Sequence, residues 1–388
     1  MREMKDSGIE WIGEIPADWK VSKVKYFTKC LDGKRKPIDA SSRKSGIYPY
    51  WGAGSIVDYI DEYLFDEEVI LLGEDGAPFF DYTRPVSFLV NEKVWVNNHI
   101  HVLKPDSKNV DSAFLVYWLN NVDYKTYING SILCKLTQSN MNNIAVAIPS
   151  LAEQQKISTY LDTKCTKIDS IIEKQEKVIE KLKEYKLSVI TEAVTKGLNP
   201  DVKMKDSGVE WIGEIPEEWK VIKAKYCVLI TNGSDPKTEG NIPVYGSGSS
   251  SFKTCGEFKE GPCVLIGRKG ATLHIPHYIL GKYWNVDTAF DVKSLDRILL
   301  KFYYFLAICF DYKIFMSQTT LPSMTQTAYE NMILPIPSIE EQTDICNYLD
   351  KKCSAIDKSI EQKQAIIEKL KEYKKSLIYE VVTGKREV

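Results

Sequence analysis

The 388 residues contain no apolar run near the eighteen or so that a membrane span needs, so no bilayer-crossing helix is expected. The opening MREMKDSGIEW lacks the basic-then-apolar pattern of a secretion signal, which gives a cytoplasmic address as the expectation. The nine cysteines include no CxxC pair, and their odd number suits reduced, mostly buried thiols better than disulfides or a zinc site. No GxxxxGK[ST] loop is present, and GAG at Gly52–Gly54 and GSG at Gly246–Gly248 lack the third glycine of a dinucleotide site. A [DNS]PP[YFW] tetrapeptide of the amino-methyltransferase type is also missing. Histidines number four; His99-x-His101 could share one face of a strand, but no further metal ligand is indicated beside it. No Ser/His/Asp or Cys/His set recurs. Neither catalytic residues, nor a cofactor, nor a metal is therefore expected in this chain. An excess of one charge is missing too: 51 Lys and Arg stand against 53 Asp and Glu, so bulk charge does not announce a nucleic-acid partner.

What the chain does have is repetition. Met4–Lys20 (MKDSGIEWIGEIPADWK) returns as Met204–Lys220 (MKDSGVEWIGEIPEEWK) with fourteen of seventeen positions identical, at an offset of 200. Pro149–Gly197 returns as Pro337–Lys385 with 27 of 49 identical, at an offset of 188. The intervening stretches, Val21–Ile148 and Val221–Ile336, agree only here and there. A frame written twice around two divergent inserts implies pseudo-two-fold symmetry and two different recognition surfaces.

The second repeated block carries a heptad pattern. Leu161, Ile168, Leu182 and Val189 recur at sevens with Gln175 in the gap, and Ile157, Ile171, Val178 and Tyr185 form a second row with Lys164 and Glu192. The copy has Leu349, Ile356, Leu370 and Leu377, then Ile345, Ile366 and Tyr373, and its stripe widens to Ile360 and Ile367. Ser150 with Glu153, and Ser338 with Glu341, have capping-box spacing, while Gly197 and Gly384 supply stops. Helices of some 45 residues would be rods of roughly 65–70 Å. An apolar stripe needs a partner, and the other copy in the same chain is the nearest; a two-fold relation makes the pair antiparallel. Gln175 and Lys363 are polar seam positions of the kind that fix register.

The inserts read as α+β modules. Val69–Gly73, Val86–Val90, Val94–Val96, Cys263–Gly267 and Tyr283–Val286 have strand character, and Ser112–Asn120 and Ile298–Phe310 are helix candidates. PYWGAG from Pro49 matches PVYGSG from Pro243, and VILLGEDG from Val69 matches CVLIGRKG from Cys263. Trp95 aligns with Trp284 or Tyr283, and Leu133–Gln138 with Leu321–Gln326. At one equivalent turn Glu74-Asp75 faces Arg268-Lys269, a charge reversal that suggests different targets.

The predicted architecture is α+β: two globular domains linked by an intramolecular antiparallel coiled coil of two long helices. The divisions fall at residues 1–148, 149–197, 198–336 and 337–388. DSGIEWIGEIPADWK and its copy resemble the entry sequence of the specificity (S) subunit of type I restriction-modification systems. IPSLAEQQKISTYLD and IPSIEEQTDICNYLD, leading into helices that end ITEAVTKG and IYEVVTGK, are similar to that family's central and C-terminal regions. The resemblance spans essentially the whole chain. It implies that the inserts are target-recognition domains, each reading half of a bipartite site on double-stranded DNA. It further implies that the coil sets their spacing and binds two methyltransferase (M) subunits, which methylate adenine with S-adenosylmethionine, and that restriction (R) subunits join to cleave.

On that reading, Lys34, Arg35, Lys36, Arg43 and Lys44, with Lys253, Arg268 and Lys269, are candidates for phosphate contact. Asn97, Asn98 and His99 are candidates for base edges, because Asn pairs bidentately with adenine. Gln138 and Gln326 sit at equivalent places near the insert ends and are candidates with a competing structural role. A rival reading is a coiled-coil adaptor whose inserts bind proteins or glycans.

Overall fold

The computed structural model describes residues 2–129, 134–248, 250–317 and 322–388. Leu133 and Leu321, which lead the two matched segments near the insert ends, lie outside the described residues. The chain forms two compact units, Met1–Lys174 together with Ile366–Val388, and Gln175–Ala365.

Each repeated opening block makes the same hairpin, Met4–Asp6 with Glu14–Pro16 and Met204–Asp206 with Glu214–Pro216. The shared DSG triplet explains its turn. Asp6 Oδ1 accepts from Gly8 N and Ser7 Oγ from Ile9 N, and Asp206 and Ser207 repeat both bonds. The next strand closes the neck of the insert. Lys20–Lys23 pairs antiparallel with Ala145–Ile148, and Lys220–Lys223 pairs likewise with Ile333–Ile336.

Beyond the neck, both inserts build one topology. In the first unit a four-stranded antiparallel sheet runs in the order Thr28–Cys30, Ile100–Pro105, Val69–Gly73, Ser87–Val90. The second unit repeats it as Val228–Asn232, Ala289–Ser294, Cys263–Gly267, His277–Ile279. A second sheet joins Ser45–Trp51 to Ile56–Ile60 and, in parallel, to Trp95–Val96; its counterpart joins Ile242–Tyr245 to Ser251–Cys255 and Lys282–Asn285. The parallel registers settle the tryptophan alignment. Tyr50 faces Trp95 as Val244 faces Trp284, and both indoles donate to a main-chain oxygen, Lys36 O at 2.6 Å and Ser234 O at 2.7 Å. Helices Ser112–Leu119 and Leu300–Cys309 cover the main sheets, burying Phe114 and Trp118 in one unit and Phe302 and Leu306 in the other. Each fully buried side chain of this size contributes about 1.5–3 kcal/mol.

The long helices span Leu151–Lys196 and Ile339–Val382. Ser150 Oγ and Ser338 Oγ cap them through Glu153 N and Glu341 N. The glutamates do not complete a capping box; their carboxylates accept from Trp19 Nε1 and Trp219 Nε1, tying each helix start to a repeated block. Helix ends also seat on these blocks. Gly384, at φ +72, lies so close to Pro16 and Trp19 that a Cβ would collide with the proline ring. Gly197, at φ +77, sits near Glu341, Trp219 and Pro216, but there a Cβ would lie at ordinary contact distance from the proline ring. The second long helix thus closes on the first block, and the first long helix closes on the second.

Within each unit the helices pair antiparallel. Lys374 binds Asp169 at 2.7 Å in the first unit, and the equivalent Lys186 binds Asp357 at 2.7 Å in the second. Gln175 accepts from Lys363 at 3.2 Å. Along one predicted row Leu161, Ile168, Val189, Leu349, Ile356 and Leu377 are buried, with Leu182 and Leu370 half-buried. The other row is corrected. Ile171, Val178 and Ile366 are 43%, 38% and 44% exposed, whereas Ile179 and Ile367 are 8% and 5% exposed. The inward row is Cys165, Ile172, Ile179, Lys186 and Ala193, repeated as Cys353, Ile360, Ile367, Lys374 and Val381. Heptads step by three and four alternately, and apolar residues occupy both phases here, so periodicity alone could not choose between them. Ile157 and Ile345 are buried in the domain cores, together with Leu161, Ile168 and Leu377 in the first unit and Leu349 and Val189 in the second.

Candidate nucleic-acid interface

In both units three segments converge just past the end of one strand of the main sheet, Val69–Gly73 in the first and Cys263–Gly267 in the second. Glu74 N donates to His99 O at 3.0 Å and Glu74 O accepts from Leu136 N at 2.7 Å. Arg268 N donates to Thr288 O at 2.7 Å and Arg268 O accepts from Met324 N at 2.9 Å. Glu74 and Arg268 are therefore equivalent by backbone bonding, as are the turns Asn97–His99 and 286–288. The scaffold is shared and the side chains are not.

In the first unit the charges at this junction are consumed internally. Arg35 reaches Glu74 Oε2 at 2.5 Å, Asp32 Oδ2 at 3.4 Å and Ile100 O at 2.8 Å, and Lys135 meets Glu74 Oε1 at 3.1 Å. His101 sets Nδ1 against Asp32 Oδ2 at 2.6 Å and donates Nε2–H to Leu136 O at 2.8 Å. Burial works to raise the Asp32 and Glu74 carboxyls, but His101 and Arg35 respectively hold both below the usual carboxylate range. Asp32, Glu74 and His101 bring one ligand atom each within 4.8 Å of one another, yet Arg35 already meets both carboxylates, so the cluster is an ion-pair network. His101 is thus a buried structural residue, whereas His99 is exposed and held by Asp75.

In the second unit no carboxylate meets Arg268 or Lys269 among the described ion pairs. The Arg268 guanidinium lies over the Phe290 ring at 5.8 Å and Nη1 touches Asp287 O at 3.4 Å. Phe290 occupies the place of His101: it faces Ile266 across the sheet as His101 faces Leu72.

The other expected contact residues divide into two groups. Lys34, Lys36, Lys44, Asn98, Gln138 and Lys253 are exposed, with Lys253 over Phe252. Arg35, Arg43, Asn97 and Gln326 are spent within the fold, which corrects the expectation of free contacts there. Arg43 donates to Ile38 O at 3.1 Å, lies 4.3 Å over Tyr50 and pairs with Asp58 at 3.4 Å. Asn97 Oδ1 accepts from His99 N at 2.8 Å. Gln326 Nε2 donates to Ile230 O at 3.1 Å. Thr137 and Thr325 cap the short helices Gln138–Asn142 and Gln326–Asn331, which gives the repeated Thr-Gln pair a folding role. Sequence reading missed Asp32 and Lys135: Asp32 stands three residues before Arg35, but its bond to His101 spans 69 residues, and Lys135 meets Glu74 from a distant part of the chain.

The model of the type I restriction modification DNA specificity domain matches this chain twice, at residues 16–181 and 216–372. The chain belongs to that family and is a non-catalytic DNA-recognition subunit. It is similar to the MjaVIII specificity subunit of Methanocaldococcus jannaschii, 24% identical over 408 residues that cover 96% of this chain and 93% of that one. A putative specificity subunit of Haemophilus influenzae is 34% identical over 132 residues, and the match spans 34% of that protein's length. Among solved structures, a chain from a study of complex assembly and conformational transition in a type I R-M system has a TM-score of 0.72. It is 14% identical and covers 96% of this chain and 99% of its own. The HsdS subunit of Thermoanaerobacter tengcongensis has a TM-score of 0.52 at 14% identity, with 96% and 98% covered. At such identities the structures speak for the fold alone. No helix among the described residues is long and apolar enough to cross a membrane.

Proposed function

We propose that each unit reads one half of a bipartite site on double-stranded DNA, and that the paired helices fix the spacing and receive two methyltransferase subunits, with restriction subunits joining to cleave. The observation that carries this reading is the junction described above. Two backbones make the same hydrogen bonds, yet one presents a neutralised Glu74-Asp75 turn and the other a cationic Arg268-Lys269 turn. A duplicated scaffold with divergent exposed turns suits two unlike words. Lys34, Lys36 and Lys44 in the first unit, and Lys253 and Lys269 in the second, are the phosphate contacts of this proposal. Asn98 and His99 face base edges, with Asn97 positioning them; Arg268 has the donor fork that suits guanine O6 and N7. A near-neutral subunit can serve if the methyltransferase partners supply part of the phosphate contact. The test is replacement of Val21–Ile148 by the insert of a relative, followed by mapping of modified adenines in cells that also express the methyltransferase subunits. One half of the motif should change and the other should stay; a change in both halves, or in neither, overturns the proposal.

A further inference from the structure

The backbone equivalence of the two inserts exposes a difference in their interiors. Phe65 bridges Val94 in the first unit as Lys259 pairs with Tyr283 in the second. Val102 faces Leu71 as Asp291 faces Leu265, and Val96 faces Trp51 as Asn285 faces Tyr245. Phe65, Val94, Val96 and Val102 all belong to one apolar core. Their counterparts are Lys259, Tyr283, Asn285 and Asp291. Lys259 Nζ contacts Asp291 Oδ2 at 3.3 Å and donates to Asn285 Oδ1 at 2.8 Å; Tyr283 donates to the same Asp291 oxygen at 2.7 Å. Asp291 is 2% exposed and its Oδ1 has no hydrogen-bond partner among the described residues.

Burying such a pair is costly, and apolar residues of similar size often stabilise a fold as well or better. The first unit demonstrates that this fold closes with Phe and Val at those places. Folding therefore does not require the network, and its far end shows what else it does. Asn285 donates Nδ2–H to Ala289 O at 2.8 Å, spanning the turn 286–288. That turn holds Arg268, through Thr288 O to its main chain and Asp287 O to its guanidinium. In the first unit the equivalent turn is pinned by its own first residue, Asn97, to His99 N. Val286 stands at that place in the second unit and has no polar side chain to do so.

We propose that Lys259, Asp291, Tyr283 and Asn285 are positioning residues for the second unit's DNA word. They set the 286–288 turn and, through it, the direction of the Arg268 side chain. The inference rests on the second unit's reading DNA, as proposed above.

The test grafts the first unit's core. A Lys259→Phe, Tyr283→Val, Asp291→Val variant is assembled with the methyltransferase subunits and offered randomised duplexes, with thermal midpoints measured alongside. The variant should melt no lower than the parent and keep the first half of the motif, while discrimination at the second half falls by tenfold or more. Full discrimination at the second half would overturn the inference. If the triple variant does not fold, Asn285→Val decides: the first word kept with the second relaxed is expected, and both words kept overturns it. A parent protein that selects no two-part motif would instead defeat the underlying reading.

Discussion

Trp219 donates its indole N–H to Glu341 at 2.9 Å and Trp19 donates to Glu153 at 3.2 Å, but Glu153 also receives Arg2 at 2.5 Å. The residue equivalent to Arg2 is Val202, so Glu341 has no such cation. Burial raises the Glu341 carboxyl above its ordinary value, against the opposing bond from Trp219. A raised folded value means that the folded state binds the proton more tightly than the unfolded chain. Stability from this group therefore grows as pH falls through the folded value and is lost above it. Glu341→Gln keeps an acceptor and removes the charge; it should hold or raise the thermal midpoint at pH 7. Glu153→Gln should lower it, because Arg2 then loses a partner.

Asp32 runs the other way. Its lowered folded value gives stability that is present above the unfolded carboxylate value, about 4, and is lost as pH falls through the folded one. Asp32→Asn should flatten the acid limb of a stability-against-pH curve measured by urea unfolding, and a limb identical to the parent's would refute the ion-pair reading.

Arg35 and Lys36 are neighbours with separate fates. Arg35→Met leaves Glu74 and Asp32 short of their cation and should cost about 3–5 kcal/mol in unfolding free energy. Lys36→Ala should leave stability within about 0.5 kcal/mol. In duplex binding with the methyltransferase subunits present, Lys36→Ala should reduce the salt slope by about one.

The seam correction can be weighed directly. Ile179→Ala removes an inward side chain and should cost about 2–4 kcal/mol, whereas Val178→Ala, on the exposed phase, should cost under about 1 kcal/mol. Equal costs in denaturant melts would restore the original row.

Gly384→Ala combines a left-handed backbone with a collision at Pro16, so it should lose more than the roughly 1 kcal/mol that positive φ alone imposes. Loss of helix–block docking would show as faster amide exchange in the last turn before Thr383.

Much of this fold was legible because its signals are local or repeated. Caps at Ser150 and Ser338, stops at Gly197 and Gly384, and strands such as Val69–Gly73 depend on nearby residues. Duplication supplied the alignment of Gly73 with Gly267, and with it the opposed turns. The choice between Ile171 and Ile172 was not legible, because a partner helix decides it. Nor was the withdrawal of Arg35, whose acceptors Glu74 and Ile100 O lie 39 and 65 residues away. Nor was the bond from Lys259 to Asn285, at the place that the other unit fills with the buried Phe65.

The neck strands carry a consequence for how such a protein changes over generations. Lys20 lies opposite Ile148, and Lys220 opposite Ile336, so each insert leaves and re-enters the frame across a single strand spacing. A foreign insert joined at those two points must still supply partners for the frame, as Phe114 does for Trp19, Trp118 for Trp11 and Tyr117 for Asp162. If each insert reads one word, as proposed above, an insert that keeps those contacts would bring its whole word in one step rather than by a series of single-letter changes.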